Sequence, residues 1–222
     1  MTTAQSTITC SCSTLGLDPA EPVAAEGTIE EIVRFHGHMC PGLAIGIRAA
    51  EVALREIGPH SADEEVVAVV ETNMCAVDAI QYLTGCTFGK GNLVHVDHGK
   101  NAYTFIRRSD GRAIRIAARP EAMSWDPERK ELLGRVKAGD ATDEERARFK
   151  ELQLTRSQEI LDAAEDDLHA VEELEGMQIP APAEIRASVV CAECGEATME
   201  TRIRELRGRK LCPSCFEAAI AT

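Results

Sequence analysis

The chain reads as an α+β protein: a mixed or antiparallel sheet with flanking helices, followed by a helical linker and a small C-terminal zinc ribbon of treble-clef type. Three observations predict this. Between residues 28 and 118, segments with apolar residues at three- and four-residue spacing are interleaved with short β-branched runs. Residues 119–187 hold 18 acidic and 10 basic side chains with helix-capping signals. Residues 188–222 carry two C-x2-C pairs.

Residues 1–27 are rich in Thr, Ser, Ala, Pro and Glu without apolar periodicity, and read as an N-terminal extension containing Cys10 and Cys12. Thr28-Ile29-Glu30-Glu31 has the form of a capping box, opening a short helix that Gly37 ends. A longer helix is expected from about Pro41 to Ile57, with Leu43, Ile47, Ala50, Leu54 and Ile57 on one face and Gly58-Pro59 as its stop. Val66-Val67-Ala68-Val69-Val70 suits a buried strand, and Thr72 or Asn73 can cap a helix running from near Cys75 to Gly85.

Past the glycine-spaced loop 84–92, Leu93-Val94-His95-Val96-Asp97, Tyr103 to Arg107 and Ala113 to Ala117 are expected to pair antiparallel, the last two across a Ser109-Asp110-Gly111 turn. Thr142-Asp143-Glu144-Glu145 is another capping box, and Ile160, Ala164, Leu168, Val171 and Leu174 mark one face of a long helix that Gly176 ends. Glu165 to Glu175 has six acids and no Lys or Arg, which reads as a solvated helix face or a docking surface for a basic partner. The predicted domains are therefore the extension 1–27, the α+β domain 28–118, the acidic helical segment 119–187 and the zinc ribbon 188–222.

The net charge of −13 argues against general affinity for nucleic acid or an anionic membrane surface, since both need clustered Lys and Arg. No apolar run approaches the roughly 20 residues of a membrane span, and Met1 to Thr14 lacks a basic start followed by a hydrophobic stretch, so a cytoplasmic protein is expected. In that setting nine cysteines read as metal ligands or redox groups rather than as disulfides.

Cys191, Cys194, Cys212 and Cys215, with 17 residues between the pairs, match the spacing of a four-thiolate structural zinc site. Such a site is closed, so its role is structural. Arg202, Arg204, Arg207, Arg209 and Lys210 would suit nucleic acid, but Glu193, Glu196, Glu200, Glu205 and Glu217 cancel their charge.

The first half carries a second set. Phe35-His36-Gly37-His38-Met39-Cys40-Pro41-Gly42 puts two imidazoles and a thiol within five residues, with Cys40 at a helix start where backbone N–H groups favour a thiolate. Alone, this is as consistent with a turn holding an inert Cys and two hydrogen-bonded histidines as with a metal or reactive-sulfur centre. Cys75, followed one turn later by Asp78, and Cys86 repeat the placement after a structural break, and favour a split metal site of His36, His38, Cys40, Cys75 and Cys86 for zinc, iron or nickel. Cys40, Cys75 and Lys90 are the catalytic candidates, while Lys90 and Lys100 are candidates for holding an anionic ligand. Asp78 and Asp97 have capping or ion pairing as their ordinary alternative, His95 and His98 suit a strand and a turn equally well, and His60 and His169 read as surface residues. The G-x3-G-K-G pattern from Gly85 to Gly91 lacks the spacing and the Ser or Thr of a nucleotide-binding P-loop.

The block from Phe35 to Gly42, Cys75-Ala76-Val77-Asp78-Ala79-Ile80-Gln81 and Thr84-Gly85-Cys86-Thr87-Phe88-Gly89-Lys90-Gly91-Asn92 resemble the signature blocks of the FmdE family, named for one component of formylmethanofuran dehydrogenase. The resemblance extends through Gly99-Lys100 to the C-terminal ribbon, about residues 28 to 218. It implies an α+β core with a metal-binding cleft, a homodimer, a helical linker and a zinc domain. The dehydrogenase's molybdenum or tungsten and iron–sulfur chemistry belongs to its other components. The leading expectation is accordingly an accessory metalloprotein of a one-carbon or molybdenum/tungsten enzyme system, bound to a partner enzyme. A stand-alone metalloenzyme acting on a small anionic substrate and a zinc-ribbon regulator are the alternatives.

Overall fold

The computed structural model describes residues 26–221, so Cys10, Cys12 and most of the expected extension lie outside the described residues. These residues fall into two compact units that divide between Ala181 and Pro182.

In the first unit, α1 (Glu26–His36) and α2 (Pro41–Glu56) precede β1 (Val66–Val70), α3 (Ala76–Thr84), β2 (Leu93–His95), β3 (Ala102–Arg107) and β4 (Ala113–Ala118). Then follow α4 (Pro127–Ala138), α5 (Asp143–Asp162), α6 (Glu165–Leu168) and β5 (His169–Leu174). The strands form one five-stranded sheet in the order β2-β1-β3-β4-β5. Antiparallel pairing holds for β1, β3, β4 and β5, with Val70 opposite Tyr103 and Tyr103 opposite Ile116. The exception is β2, expected to be antiparallel but running parallel to β1 with Val69 opposite Val94. The reason is α3, which carries the chain back across the sheet as a βαβ crossover so that β2 enters in the direction of β1.

Alternate strand residues share one face of the sheet. Val66, Ala68, Val70, Tyr103, Phe105, Ile114 and Ile116 are buried in one cluster with Leu43, Ile47, Ala50, Leu54, Ile57 and Ile80. The residues predicted for the apolar face of α2 are all in that core. Its Gly46 is where the packing is tightest: a Cβ there would stand 2.3 Å from the Ala76 carbonyl oxygen and 2.6 Å from its Cα. Only a glycine lets α2 touch the backbone at the start of α3, and this contact brings the caps of the two helices together.

Two expectations fail at the end of this unit. The long helix over 142–176 stops at Asp162, and His169–Leu174 is a strand whose residues pair with β4 from Ala118↔His169 to Ala113↔Leu174. Thr142 and Glu145 do form both bonds of the capping box at the start of α5. At its other end the Arg48 guanidinium donates from Nη1 to the carbonyls of Leu161 (2.6 Å) and Ala163 (2.8 Å), taking up acceptors that a continuing helix would have used. The chain then supplies the open edge of β4 with a partner. His169, expected at the surface, is 1 % exposed, and neither ring nitrogen has a hydrogen-bond partner among the described residues. The switch from helix to strand turns its side chain inward.

The second unit contains two hairpins, β6 (Ser188–Val190) with β7 (Ala197–Met199) and β8 (Arg204–Leu206) with β9 (Arg209–Leu211), followed by α7 (Pro213–Ile220). Its buried apolar residues are Cys191, Leu211 and Cys212, with Leu206, Cys215 and Phe216 packed against them. No helix among the described residues is long and apolar enough to cross a membrane.

Candidate metal centres

The end of α1 and the start of α2 build the first centre. Gly37 adopts φ +99°, a backbone region that a residue with a Cβ rarely occupies, and the resulting turn folds His38 back toward His36, their ring centroids 4.7 Å apart. Cys40 is the N-cap of α2, and its Sγ accepts the Leu43 N–H at 3.4 Å. Ligating atoms of His36, His38 and Cys40 all lie within 4.8 Å of one another.

Asp78, the first-turn acid of α3, reaches His36: its Oδ2 is 2.6 Å from Nδ1. A carboxylate there fixes the proton on Nδ1 and directs the lone pair of Nε2 outward. That Nε2 is buried and has no hydrogen-bond partner among the described residues. Cys75, the residue before α3, closes the arrangement. A Cβ on Gly42 would sit 3.2 Å from the Cys75 Cβ and within 4 Å of both the Cys75 and Cys40 sulfurs, so the two thiols flank the same glycine. The thiolate expected of Cys40 from its helix-start position is not what the environment favours. Burial pushes its thiol up to about 11, against the pull of the Leu43 N–H and with the neighbouring Cys75 adding to the rise. A cation held by these groups would reverse that balance, because it would offset the desolvation of the thiolate.

Two cavities open on either side. One, of about 480 Å³, is lined by His36, Cys75, Asp78, Asn73, Phe88 and His95. The other, of about 230 Å³, has His38, Cys40 and Cys75 on one wall and Trp125, Arg129 and Gln153 among the residues opposite.

The remaining candidates lie elsewhere. Cys86 is fully buried, with its Sγ 3.4 Å from the Val66 carbonyl and its thiol pushed up by burial, outside the His36–His38–Cys40 group. The loop that carries it turns inward under β1. Lys90 donates from Nζ to the Ser61 carbonyl (2.7 Å), pinning the loop, and neither it nor the exposed Lys100 lines the two cavities. His95 does line the larger one, while Asp97 is exposed and His60 holds the Leu83 carbonyl from an exposed position. His98 pairs with Glu71 at 3.0 Å. Burial alone would raise the Glu71 carboxyl, but hydrogen bonds from His98 and Arg115 win and lower it.

Sequence reasoning missed Trp125, Arg129 and Gln153 altogether. The available signal was that Trp125 is the chain's single tryptophan, next to an Asp126-Pro127 helix start.

In the second unit the four thiols of Cys191, Cys194, Cys212 and Cys215 also lie within 4.8 Å of one another, with 3.9 Å between the Cys194 and Cys212 sulfurs. Tetrahedral zinc with bonds of about 2.3 Å places its sulfurs about 3.8 Å apart, close to that Cys194–Cys212 separation, so the donor set suits zinc. Backbone N–H groups of Cys194 and Cys212 hold the Cys191 thiol down to about 6, and the crowd of sulfurs, Cys212 first, pushes Cys215 up to about 12.

An α+β domain with clustered Cys and His, followed by a four-cysteine finger, defines the class: a metal-binding protein with a structural zinc module. The family described as "FmdE, Molybdenum formylmethanofuran dehydrogenase operon" matches residues 35–170, and the chain belongs to it. The prokaryotic dksA/traR C4-type zinc finger matches residues 185–220. A curated relative from Archaeoglobus fulgidus, named a probable S-adenosyl-L-methionine-binding protein, is 33% identical over 189 residues, which is 82% of this chain and 50% of the relative. The chain thus spans about half the length of that protein. Among solved structures, a tungsten formylmethanofuran dehydrogenase FmdE-like protein from Syntrophus aciditrophicus shares the fold with a TM-score of 0.61 at 24% identity, over 91% of this chain and 98% of that one.

Proposed function

We propose that His36, His38 and Cys40, with Cys75 beside them, bind a transition metal (zinc, iron or nickel) and that the protein is an accessory metalloprotein of a one-carbon or molybdenum/tungsten enzyme system. The observation that carries the metal is the buried, unpartnered His36 Nε2, aimed by Asp78 and grouped with a second imidazole and a thiol. Imidazole and thiolate donors together suit these metals, and a bound cation would supply Lewis-acid chemistry. The accessory role draws on the family's description, which ties it to a formylmethanofuran dehydrogenase operon.

Metal analysis of anaerobically purified protein tests the reading. About two equivalents per chain are expected, falling to about one in Cys40→Ala/Cys75→Ala; a single equivalent in the wild type, unchanged in the double variant, overturns it.

The second reading, a stand-alone metalloenzyme, is favoured by the open cavity of about 480 Å³ at the donors and by the small-molecule ligand in the archaeal relative's name. Binding of S-adenosylmethionine in equilibrium dialysis would support it over the accessory role. A homodimer is proposed on the exposed Phe35, Met74 and Phe88, of which Met74 and Phe88 line that cavity, and light scattering tests it.

A further inference from the structure

We infer that the smaller cavity is a binding subsite for a short-chain carboxylate, held by Arg129 and Gln153 against the wall formed by His38, Cys40 and Cys75. The argument starts from Arg129. Its side chain is 3 % exposed, yet Nε and Nη1 have no hydrogen-bond partner among the described residues. Nη2 donates to the Ser124 carbonyl at 3.2 Å, and the guanidinium lies 4.2 Å from the centroid of the Trp125 ring. Its ion-pair partner among the described residues is the half-exposed Asp126, whose Oδ1 caps α4 by accepting the Arg129 N–H at 2.8 Å and whose Oδ2 is 3.9 Å from Nε, beyond hydrogen-bond distance. Arg156 nearby is occupied by Glu159 and the Ala122 carbonyl.

A guanidinium taken out of water with two donors unused is costly, and an ionised carboxylate, whose oxygens accept charge-assisted hydrogen bonds, is the ligand that best offsets that cost. Gln153 adds a second unsatisfied group on the same cavity: its Oε1 is buried and without a partner among the described residues, and its amide can turn to present either a donor or an acceptor to a ligand oxygen. The rest of the lining sets the other end of the ligand. Ile45, Met74, Ala122, Met123 and Ile160 are apolar, so a few methylenes are accepted where a second charge is not. The place of this subsite at the substrate end of the metal centre rests on the metal reading, whereas its affinity for a carboxylate does not.

Trp125, as the only tryptophan, makes the cavity its own fluorescence reporter. Titration of the full-length protein with butyrate is expected to give a saturable change in emission, with butyramide and butylamine giving none. Arg129→Met should weaken butyrate by about tenfold or more, the size of one charge-assisted pair, and Gln153→Leu by a smaller factor. If Arg129→Met does not fold, the contrast between butyrate and butyramide on the wild type decides the matter. An absent butyrate response, an equal response to butyramide, or full affinity in a folded Arg129→Met overturns the proposal. Metal content measured on the same samples reads the other centre separately. Butyrate binding with one metal equivalent sinks the metal reading alone, and two equivalents without butyrate binding sink the subsite alone.

Discussion

The two units are held together by different forces. In the first, a sheet face and three helices share a continuous apolar core, and His36, Arg129 and His169 carry buried ring or guanidinium nitrogens without a hydrogen-bond partner among the described residues. In the second, a small buried cluster surrounds four sulfurs, too little to offset chain entropy without a metal. Packing therefore places His36, His38 and Cys40 in the first unit, whereas the second has too small a core to hold its four cysteines by packing alone. Cysteines thus stand in opposite settings, seated on a large apolar core in one unit and gathered in place of one in the other.

Removing the metal breaks the comparison most sharply. Chelation, or Cys212→Ser, should unfold residues 182–222, a loss on the order of 10 kcal/mol of metal-coupled folding. Amide spectra should lose the signals of that unit while those of β1, β3 and β4 remain. A second unit that stays folded without zinc would end the contrast.

Acid should act on the first unit. Burial, and then Arg48, pull His169 from 6.5 down to about 4, with Glu165 opposing. Between those values the unfolded chain binds a proton that the folded chain refuses, so stability rises with pH across that window and is lost on acidification, by up to about 3 kcal/mol. Urea unfolding at pH 4.5 and 7 reads this slope, and His169→Phe should flatten it. An unchanged slope in that variant would show that another group carries the acid sensitivity.

Packing as the positioning device is tested by Gly46→Ala. The added methyl meets Ala76 backbone on α3, so about 2 kcal/mol of stability should be lost. The midpoint of thermal unfolding reads the loss, and affinity at the cleft should fall with it, because α2 and α3 carry Cys40 and Cys75. The smallest effect is expected for Asp78→Asn. It leaves the fold intact and lowers cleft metal affinity by roughly tenfold to a hundredfold, measured by competition with a chelator, since the His36 ring is no longer held. Unaltered affinity there would mean that Asp78 serves only α3.

Much of this was legible in the sequence. The four-cysteine finger is local chemistry, two short turns that each carry a fixed pair of ligands, and its spacing alone identified it. The α2 core face followed from periodicity, and H-x-H-x-C named His36, His38 and Cys40, whose side chains the structure brings together. Cys86 and Lys90 misled for a physical reason: a glycine-spaced loop has no periodicity to say whether its side chains face a cleft or the interior. β5 misled because His169-Ala170-Val171-Glu172-Glu173-Leu174 fits a helical face as well as a strand, and only the unpaired edge of β4 chooses between them.

By itself, then, the sequence determined the class of fold, the finger and the residue types of the cleft, because each is written in contiguous spacing that local backbone geometry turns directly into position. Tertiary structure alone decided the rest: that Asp78 holds His36 across 42 residues, that Gly46 brings two helix starts into contact, and that Arg129 and Gln153 face the cysteines. Those relations depend on which buried surfaces meet, a property of the whole packed core that no window of sequence contains.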